Sequence, residues 1–317
     1  MDAKLDPAHH GFESFRVRAN GIALHGARTG RGAPLLLLHG WPEFWLTWAR
    51  CMRRLSDRFD LVAPDLRGFG ATGKPTPGPS REAGPEVHAA DIIALLDELG
   101  ITQIGVVAHD LGAYVAQILA RQHPERITGL FFFNCPYPGI GGRWAEAGHL
   151  IEIWYQSFHQ MPWAAELVGS SRATCRAYIG HFLRHWAHDP HAFDDDLEAW
   201  VDNFMRPGNL QGGFDWYLSV AAARAAVIRQ QSPPLPRIDL PTRIMWGRHD
   251  PILKAAWVDR LPEYFREPEV TIAEGAGHFV HYETPEPASA AIAAFLGRVN
   301  RDRVNRDGVN RDRVNGR

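Results

Sequence analysis

Apolar residues in this 317-residue chain fall into short continuous runs separated by longer amphipathic segments. Runs without alternation predict strands buried on both faces, and they lie at residues 35–38, 61–63, 104–107, 130–133 and 243–246. Residues 87–99 and 111–122 instead place their apolar side chains on one face of a helix. Strands that alternate with helices predict a mostly parallel sheet, so the pattern indicates a doubly wound α/β fold.

Two regions depart from this rhythm. Residues 14–17 and 22–25 alternate in polarity around Asn20-Gly21, which predicts an antiparallel hairpin at the start of the chain. Between residues 135 and 236 the buried runs stop, and a helical pattern rich in Trp, Tyr, His and Phe replaces them. We interpret residues 135–236 as a helical cap inserted into an α/β core made of residues 1–134 and 237–298.

The C-terminal end has a different composition. A last helix is predicted at residues 285–296, after which the chain repeats VNRDR, VNRDG, VNRDR and VNGR. Few of these side chains can contribute to an apolar core. The sequence therefore predicts a disordered, low-complexity tail at residues 299–317.

Composition restricts the classes of partner. The chain is 45% hydrophobic and has a formal net charge of −2, which gives no electrostatic case for a nucleic acid or an anionic membrane. We expect a small-molecule substrate, and either a monomer or a homodimer. The three cysteines have no metal-binding or disulfide spacing, and the first ten residues lack the apolar core of a signal peptide, so we expect a cytoplasmic location.

The segment around Asp110 has the pattern of a nucleophile elbow. A buried strand leads into Ala108-His109-Asp110-Leu111-Gly112, and a helix follows. The sharp turn of such an elbow requires small residues on both sides of the nucleophile, and Ala108 and Gly112 meet that requirement. An alternative is that Asp110 only caps the following helix.

Three other segments occur in the order that an elbow at Asp110 requires. HGWPE at residues 39–43 follows a buried strand, so the backbone N–H groups of Trp41 and Leu111 can form an oxyanion hole. WGRHDP places Asp250 after a later strand, and GAGHF places His278 in a glycine-rich loop. Folds that carry a catalytic triad differ in the order of its three members along the chain. The order found here, nucleophile, acid and then histidine, is typical of one of these folds.

Together the motifs HGWPE, PDLRGFG, AHDLG, WGRHDP and GAGHF resemble the branch of the α/β-hydrolases that contains epoxide hydrolases and haloalkane or haloacetate dehalogenases. The resemblance implies that Asp110 is the nucleophile, and that His278, oriented by Asp250, activates water. A carboxylate that attacks an sp³ carbon leaves an ester, which activated water can hydrolyse. No cofactor and no metal are expected.

Two segments of the cap favour an epoxide as the substrate. YQSFHQMP and DWY resemble the epoxide hydrolase segments that supply two ring-opening tyrosines, which implies that Tyr155 and Tyr217 protonate the epoxide oxygen. Dehalogenation by the same triad is the alternative. Fluoroacetate dehalogenases, which this chain also resembles, carry arginines where it has Leu111 and Tyr114, and this weakens that alternative. A non-catalytic ligand-binding protein of the same fold is a more remote possibility.

The aromatic character of the cap predicts a pocket for an apolar or aryl epoxide. The residues that we expect to line it are His39, Pro42, Trp154, Phe158, Trp216 and Phe279.

Overall fold

The computed structural model describes residues 3–74 and 83–315, with side chains up to residue 305. In these residues one sheet contains eight strands, in the order β1-β2-β4-β3-β5-β6-β7-β8. Pairing is antiparallel from β1 to β2 and from β2 to β4, and parallel across the rest of the sheet. The strands are β1 (Glu13–Ala19), β2 (Ile22–Gly30), β3 (Ala33–Leu38), β4 (Phe59–Pro64), β5 (Ile104–His109), β6 (Ile127–Phe133), β7 (Thr242–Gly247) and β8 (Glu269–Ala273).

The predicted strands and hairpin are found where the apolar pattern placed them. All six residues of β5 are buried, as expected for a central strand covered on both faces. The β1–β2 hairpin pairs Ala19 with Ile22 across a two-residue turn. Asn20 and Gly21 have φ angles of 48° and 75°, the left-handed values that this tight turn requires.

Helices cover the sheet and fill the interval between β6 and β7. Those associated with the core are α1 (Ala49–Leu55), α2 (Pro85–Glu98), α3 (Leu111–Gln122), α11 (Leu261–Tyr264), α12 (Val280–Glu283) and α13 (Pro285–Asn315). Between β6 and β7 lie α4 (Ala147–Leu150), α5 (Trp154–Phe158), α6 (Ala164–Gly169), α7 (Arg172–Trp186), α8 (Leu197–Phe204), α9 (Asn209–Ser219) and α10 (Ala221–Ile228). This helical segment lies within the limits predicted for the cap.

The structure differs from the prediction at two places. Strand β8 was not predicted, because only its last residue is buried and an edge strand of this kind has no continuous apolar run.

Helix α13 continues to Asn315 instead of ending at Leu296 before a disordered tail. Its first turns are anchored by buried Ile292 and Leu296, and adding residues to an established helix is easier than starting one. The repeat contains no proline to stop it. Gly316 and Arg317, the last two residues of the predicted tail, lie outside the described residues.

A helix that crosses a bilayer must be both long and apolar, and none of the described helices meets both conditions.

Candidate active site

Asp110 occupies the sharp turn between β5 and α3. Its backbone has φ 46° and ψ −114°, a conformation that is rare for a residue with a side chain. A Cβ atom on Gly112 would lie 2.4 Å from the carbonyl oxygen of Leu38, so the chain beyond Asp110 can pass β3 only with glycine at this position. The predicted elbow is therefore present, and its strain presents the Asp110 carboxylate at the C-terminal edge of the sheet.

His278 and Asp250 form the pair that the sequence predicted. The Nδ1 atom of His278 lies 2.8 Å from Oδ2 of Asp250. The other oxygen, Oδ1, accepts hydrogen bonds from the backbone N–H groups of Ile252 and Leu253 at 2.8 and 2.9 Å. Nε2 of His278 is buried and has no hydrogen-bond partner among the described residues. Asp250 thus orients the ring through Nδ1, while Nε2 bonds to no other described residue.

The charges of this pair set its proton affinity. Burial opposes a positive charge on His278, but the carboxylates of Asp250 and Asp110 outweigh that effect and raise its pKa to about 9. Burial also raises the pKa of Asp110, and the positive neighbourhood of His278 and the N–H of Trp41 oppose the rise. The site therefore holds a carboxylate and an imidazolium that stabilise each other.

The two residues predicted to form the oxyanion hole, Trp41 and Leu111, adjoin Asp110. The backbone N–H of Trp41 donates to Oδ2 of Asp110 at 3.1 Å. Leu111 is the first residue of α3, so its N–H has no acceptor within the helix. A Cβ on Gly40 would come within 2.5 Å of the Asp110 Cβ, so glycine is what allows this loop to approach the carboxylate. The Trp41 N–H thus contacts the Asp110 carboxylate, and the Leu111 N–H begins the helix that follows it.

A buried polar network supports the elbow from below. The Glu43 carboxylate accepts hydrogen bonds from the N–H of Gly40 at 2.8 Å, from Nδ1 of His109 at 2.7 Å and from Nε2 of His281 at 3.0 Å. Burial alone would raise the pKa of Glu43, but the two imidazoles hold it well below its usual range. The ligand atoms of Glu43, His109 and His281 lie within 4.8 Å of one another, a spacing that could hold a metal ion. Each histidine nitrogen that faces Glu43 is already used in a hydrogen bond. We therefore assign these three residues the role of holding the elbow in place, and not of binding a metal.

Tyr155 and Tyr217 come from two helices of the inserted segment and meet above Asp110. Tyr155 lies on α5 and Tyr217 on α9, and their ring centroids are 5.5 Å apart. The Tyr155 ring stacks on Trp41 at 5.3 Å. Burial raises the pKa of both phenols, so both remain protonated at neutral pH. The Nε2 amide of Gln156 donates to Oη of Tyr155 at 3.0 Å.

One cavity connects these groups. It encloses about 820 Å³, solvent at its mouth included, and its wall contains Asp110, Leu111, Tyr155 and Tyr217. Most of the remaining wall is apolar or aromatic and is provided by Pro85, Tyr114, Pro136, Tyr137, Pro138, Trp144, Trp216, Val220, Ala223, Val227 and Ile252. The polar exceptions are Gln156 and Arg224.

The predicted pocket set needs correction. Trp216 lines the cavity, whereas His39, Pro42, Trp154, Phe158 and Phe279 are not part of its described wall. His39 is occupied by the carbonyl of Gly40 and the N–H of Leu66, at 2.8 and 3.0 Å. Trp154 is 41% exposed on the outer side of α5, and Phe279 is fully buried behind the triad histidine.

The other two residues of that set have packing roles. The carbonyl oxygen of Pro42 accepts a hydrogen bond from the Trp200 indole at 2.9 Å. Phe158 packs its ring against Tyr178 at a centroid distance of 5.5 Å.

Three further residues at the site were not predicted as functional. Asn134 donates its amide to Oδ2 of Asp250 and accepts the N–H of Gly247 at 2.9 Å. Glu283 accepts the N–H groups of Gly277 and Phe279 at 3.0 and 3.1 Å, which fixes the backbone on both sides of His278. Gln156 contacts the phenol of Tyr155. Asn134 could have been found from the sequence, because it directly follows a predicted strand. The contacts of Glu283 and Gln156 arise only from the packing of the folded chain.

A family model described as alpha/beta hydrolase fold matches residues 33–285. The chain belongs to the α/β-hydrolase fold family. Its predicted fold class is thereby confirmed.

The relatives of this α/β-hydrolase include several epoxide hydrolases. Epoxide hydrolase 4 of Homo sapiens is 27% identical over 301 residues, which cover 91% of this chain and 79% of that protein. The soluble epoxide hydrolase of Corynebacterium sp. (strain C12) is 29% identical over 280 residues, which cover 84% of this chain and 91% of that protein. The crystal structure of an epoxide hydrolase from Vigna radiata superposes with a TM-score of 0.76 at 26% identity, over 90% of this chain and 98% of that one. The resemblance to the epoxide hydrolase branch is confirmed.

Proposed function

We propose that this α/β-hydrolase converts an epoxide into a vicinal diol through a covalent ester on Asp110. The observation that carries the proposal is that Tyr155 and Tyr217 line the same cavity as Asp110. A leaving halide needs no proton, whereas an epoxide oxygen must receive one as its ring opens. Two protonated phenols above a carboxylate therefore favour the epoxide over the haloacetate or haloalkane.

In the first step Asp110 attacks an epoxide carbon. Its Oδ2 is engaged by the N–H of Trp41, so Oδ1 is the atom available for attack. A carbon–oxygen bond forms to Asp110 while the ring carbon–oxygen bond breaks, and the released oxygen takes a proton from a phenol of Tyr155 or Tyr217. The product is a 2-hydroxyalkyl ester of Asp110.

In the second step water hydrolyses that ester. Once the ester has formed, His278 loses its resting proton to the phenolate through solvent. Nε2 of His278 then removes a proton from water, and the resulting hydroxide attacks Cγ of Asp110. The negative charge on the former carbonyl oxygen of the ester is stabilised by the N–H groups of Trp41 and Leu111, typically by about 3 kcal/mol per donor. Collapse breaks the bond to the diol oxygen, which takes the proton of the new carboxyl group, so that the diol leaves and the Asp110 carboxylate is restored beside a protonated His278.

The residues that line the cavity indicate which kind of substituent the epoxide carries. Trp144, Trp216, Val220 and Val227 offer apolar surface, so we propose an apolar or aryl substituent on the epoxide. The proposed steps use no cofactor. We also propose that the enzyme acts in the cytoplasm, as a monomer or a homodimer.

A His278→Gln variant tests the covalent mechanism. It should form the ester but hydrolyse it slowly, so that incubation with an epoxide panel adds the mass of the epoxide to the Asp110 peptide. An Asp110→Asn/His278→Gln double variant is the control and should show no adduct. Absence of the adduct from the single variant, with every epoxide in the panel, would rule the mechanism out.

A second experiment separates epoxide from halide chemistry. The wild-type enzyme is given an epoxide and a haloacetate side by side, and diol formation is compared with halide release. We expect diol formation to dominate and to fall in Tyr155→Phe and Tyr217→Phe. Halide release that exceeds diol formation, and that is unaffected by loss of both hydroxyls, would favour the dehalogenase instead.

A further inference from the structure

A cationic side chain, Arg224 on α10, lines the active-site cavity together with Asp110 and the two tyrosines. Its guanidinium has neither an ion pair nor a hydrogen bond to any residue that the structure describes, and its Nη2 atom is buried without a partner. Among the same residues, the contact that orients it is the ring of Trp144, with the guanidinium carbon 4.5 Å from the ring centroid.

Other shielded arginines of this chain have hydrogen-bond acceptors, which are carboxylates or, for Arg121, backbone carbonyls. Arg28 pairs with Asp60 at 2.7 Å, and the buried Arg67 forms two hydrogen bonds with Asp91. A guanidinium removed from water is costly unless an acceptor compensates it. Arg224 therefore has the features of a group whose acceptor arrives with the ligand.

The chemistry of that acceptor follows from the surroundings. A guanidinium presents a planar fork of N–H donors that matches a carboxylate, and the rest of this part of the wall is apolar. One arginine balances one negative charge. Because Asp110 already contributes an anion to the same cavity, a singly charged carboxylate fits better than a doubly charged phosphate.

Arg224 also marks a boundary between two spaces. Together with Trp144, Gln156, Tyr217 and Val220 it lines an adjoining cleft, whose outer wall includes the exposed Leu150 and Trp154. A group bound to Arg224 would thus lie at the edge of the catalytic cavity toward this cleft, away from the nucleophile.

We propose that the substrate is an epoxide whose apolar body ends in a carboxylate, and that Arg224 binds this carboxylate and determines specificity. The inference rests on the proposed function, because it assigns a substrate class to the same site.

The test uses matched substrates. A series of terminal epoxy acids of increasing chain length is compared with the corresponding primary amides, which have nearly the same size but no charge. For the wild type we expect kcat/KM to favour the acid at the best chain length by about 10- to 100-fold, the usual effect of a charged hydrogen-bonded pair. In Arg224→Met this preference should disappear, because kcat/KM for the acid falls by about 10- to 100-fold more than kcat/KM for the amide.

Two variants provide controls. Arg229→Met removes an exposed arginine just beyond the end of α10, whose Nε donates to Gln231, and should keep the preference for acid. Arg224→Lys keeps the charge and the aliphatic stem, so it should retain part of the preference even if Arg224→Met does not fold. Equal losses for acid and amide in Arg224→Met would mean that Arg224 only packs on Trp144, and would overturn the proposal.

Binding without turnover gives an independent measurement. A saturated alkanoate of the preferred length should bind to wild type, by calorimetry, about 10-fold or more tightly than its amide, and Arg224→Met should abolish the difference. If the wild type hydrolyses acids and amides equally, the carboxylate site is refuted while epoxide hydrolysis stands. If it hydrolyses neither, the proposed function itself fails.

Discussion

Nδ1 of His278 lies 2.8 Å from Oδ2 of Asp250, while Nε2 of the same ring is buried without a partner among the described residues. The carboxylate is an acceptor only, so it holds the proton on Nδ1 and leaves Nε2 as the atom that gains or loses a proton. Because the pKa of His278 is raised to about 9, Nε2 is protonated in the resting enzyme at neutral pH. Formation of the ester removes the negative charge of Asp110, which lowers this pKa and frees Nε2 to act as a base.

The first prediction is therefore that the two steps differ in pH dependence. The rate of ester hydrolysis should rise with pH, and its midpoint should lie below the midpoint near 9 at which His278 titrates in the free enzyme. Rapid-quench single turnovers give the first quantity, and NMR titration of labelled histidine gives the second. A hydrolysis midpoint equal to that of the free enzyme would contradict the effect of Asp110.

The same pair predicts how stability depends on pH. Protonated His278 beside Asp250 stabilises the folded protein. This stabilisation is fully present below the unfolded-state pKa of 6.5 and is lost as pH rises through about 9. A shift of this size corresponds to about 3 kcal/mol. Urea unfolding at pH 6 and at pH 9.5 should show wild type losing more stability than His278→Gln. Equal losses in the two proteins would argue against the shift.

A third prediction concerns the backbone of the elbow. Gly112→Ala would place its methyl group against the Leu38 carbonyl oxygen, so we expect the free energy of unfolding to fall by about 2 kcal/mol or more. The rate of ester formation should fall with it, because Asp110 is displaced. Gly148 on α4 has no neighbour within 4 Å of an added Cβ, and Gly148→Ala is the matched control, expected to change stability by less than about 1 kcal/mol. A Gly112→Ala protein as stable as Gly148→Ala would refute the steric argument.

A fourth prediction concerns Asn134, which holds Asp250 from the end of β6. Its φ of 40° favours asparagine or glycine, so Asn134→Gly removes the side chain without straining the backbone and should lower stability by about 1–3 kcal/mol. Asn134→Asp replaces the donor to Asp250 by a second carboxylate. The two carboxylates repel each other when both are ionised, so this variant should lose stability relative to wild type as pH rises from 5 to 8. Urea unfolding at both pH values measures the difference, and a constant difference would contradict the assigned contact.

The sequence was enough to predict that Asp110, Asp250 and His278 lie together, but not which residues line the cavity, and the reason is physical. Asp110 directly follows β5, and Asp250 and His278 follow in loops after β7 and β8. Carboxyl ends of parallel strands meet at one edge of a sheet, so their positions along the chain are enough to bring them together. Trp154 is next to Tyr155 in sequence, but successive residues of a helix point in different directions, and Trp154 faces outward. Arg224 lies in a short alanine-rich helix with no motif, and only the packing of α10 against the cavity gives it a role.

Finally, Gln156 should assist ring opening through Tyr155. Its amide N–H, 3.0 Å from the phenol oxygen, stabilises that oxygen as the proton leaves, and it thereby opposes the rise in the Tyr155 pKa caused by burial. In Gln156→Leu we expect ester formation to slow by about 5- to 10-fold, which corresponds to the loss of one hydrogen bond of about 1 to 1.4 kcal/mol. Ester hydrolysis, measured in a single turnover, should be unchanged. Gln160→Leu is the control, because the Gln160 amide bonds only to the backbone carbonyl of Gln156 among the described residues. If Gln156→Leu slowed both steps equally, its role would be to hold α5 in place and not to support the proton donor.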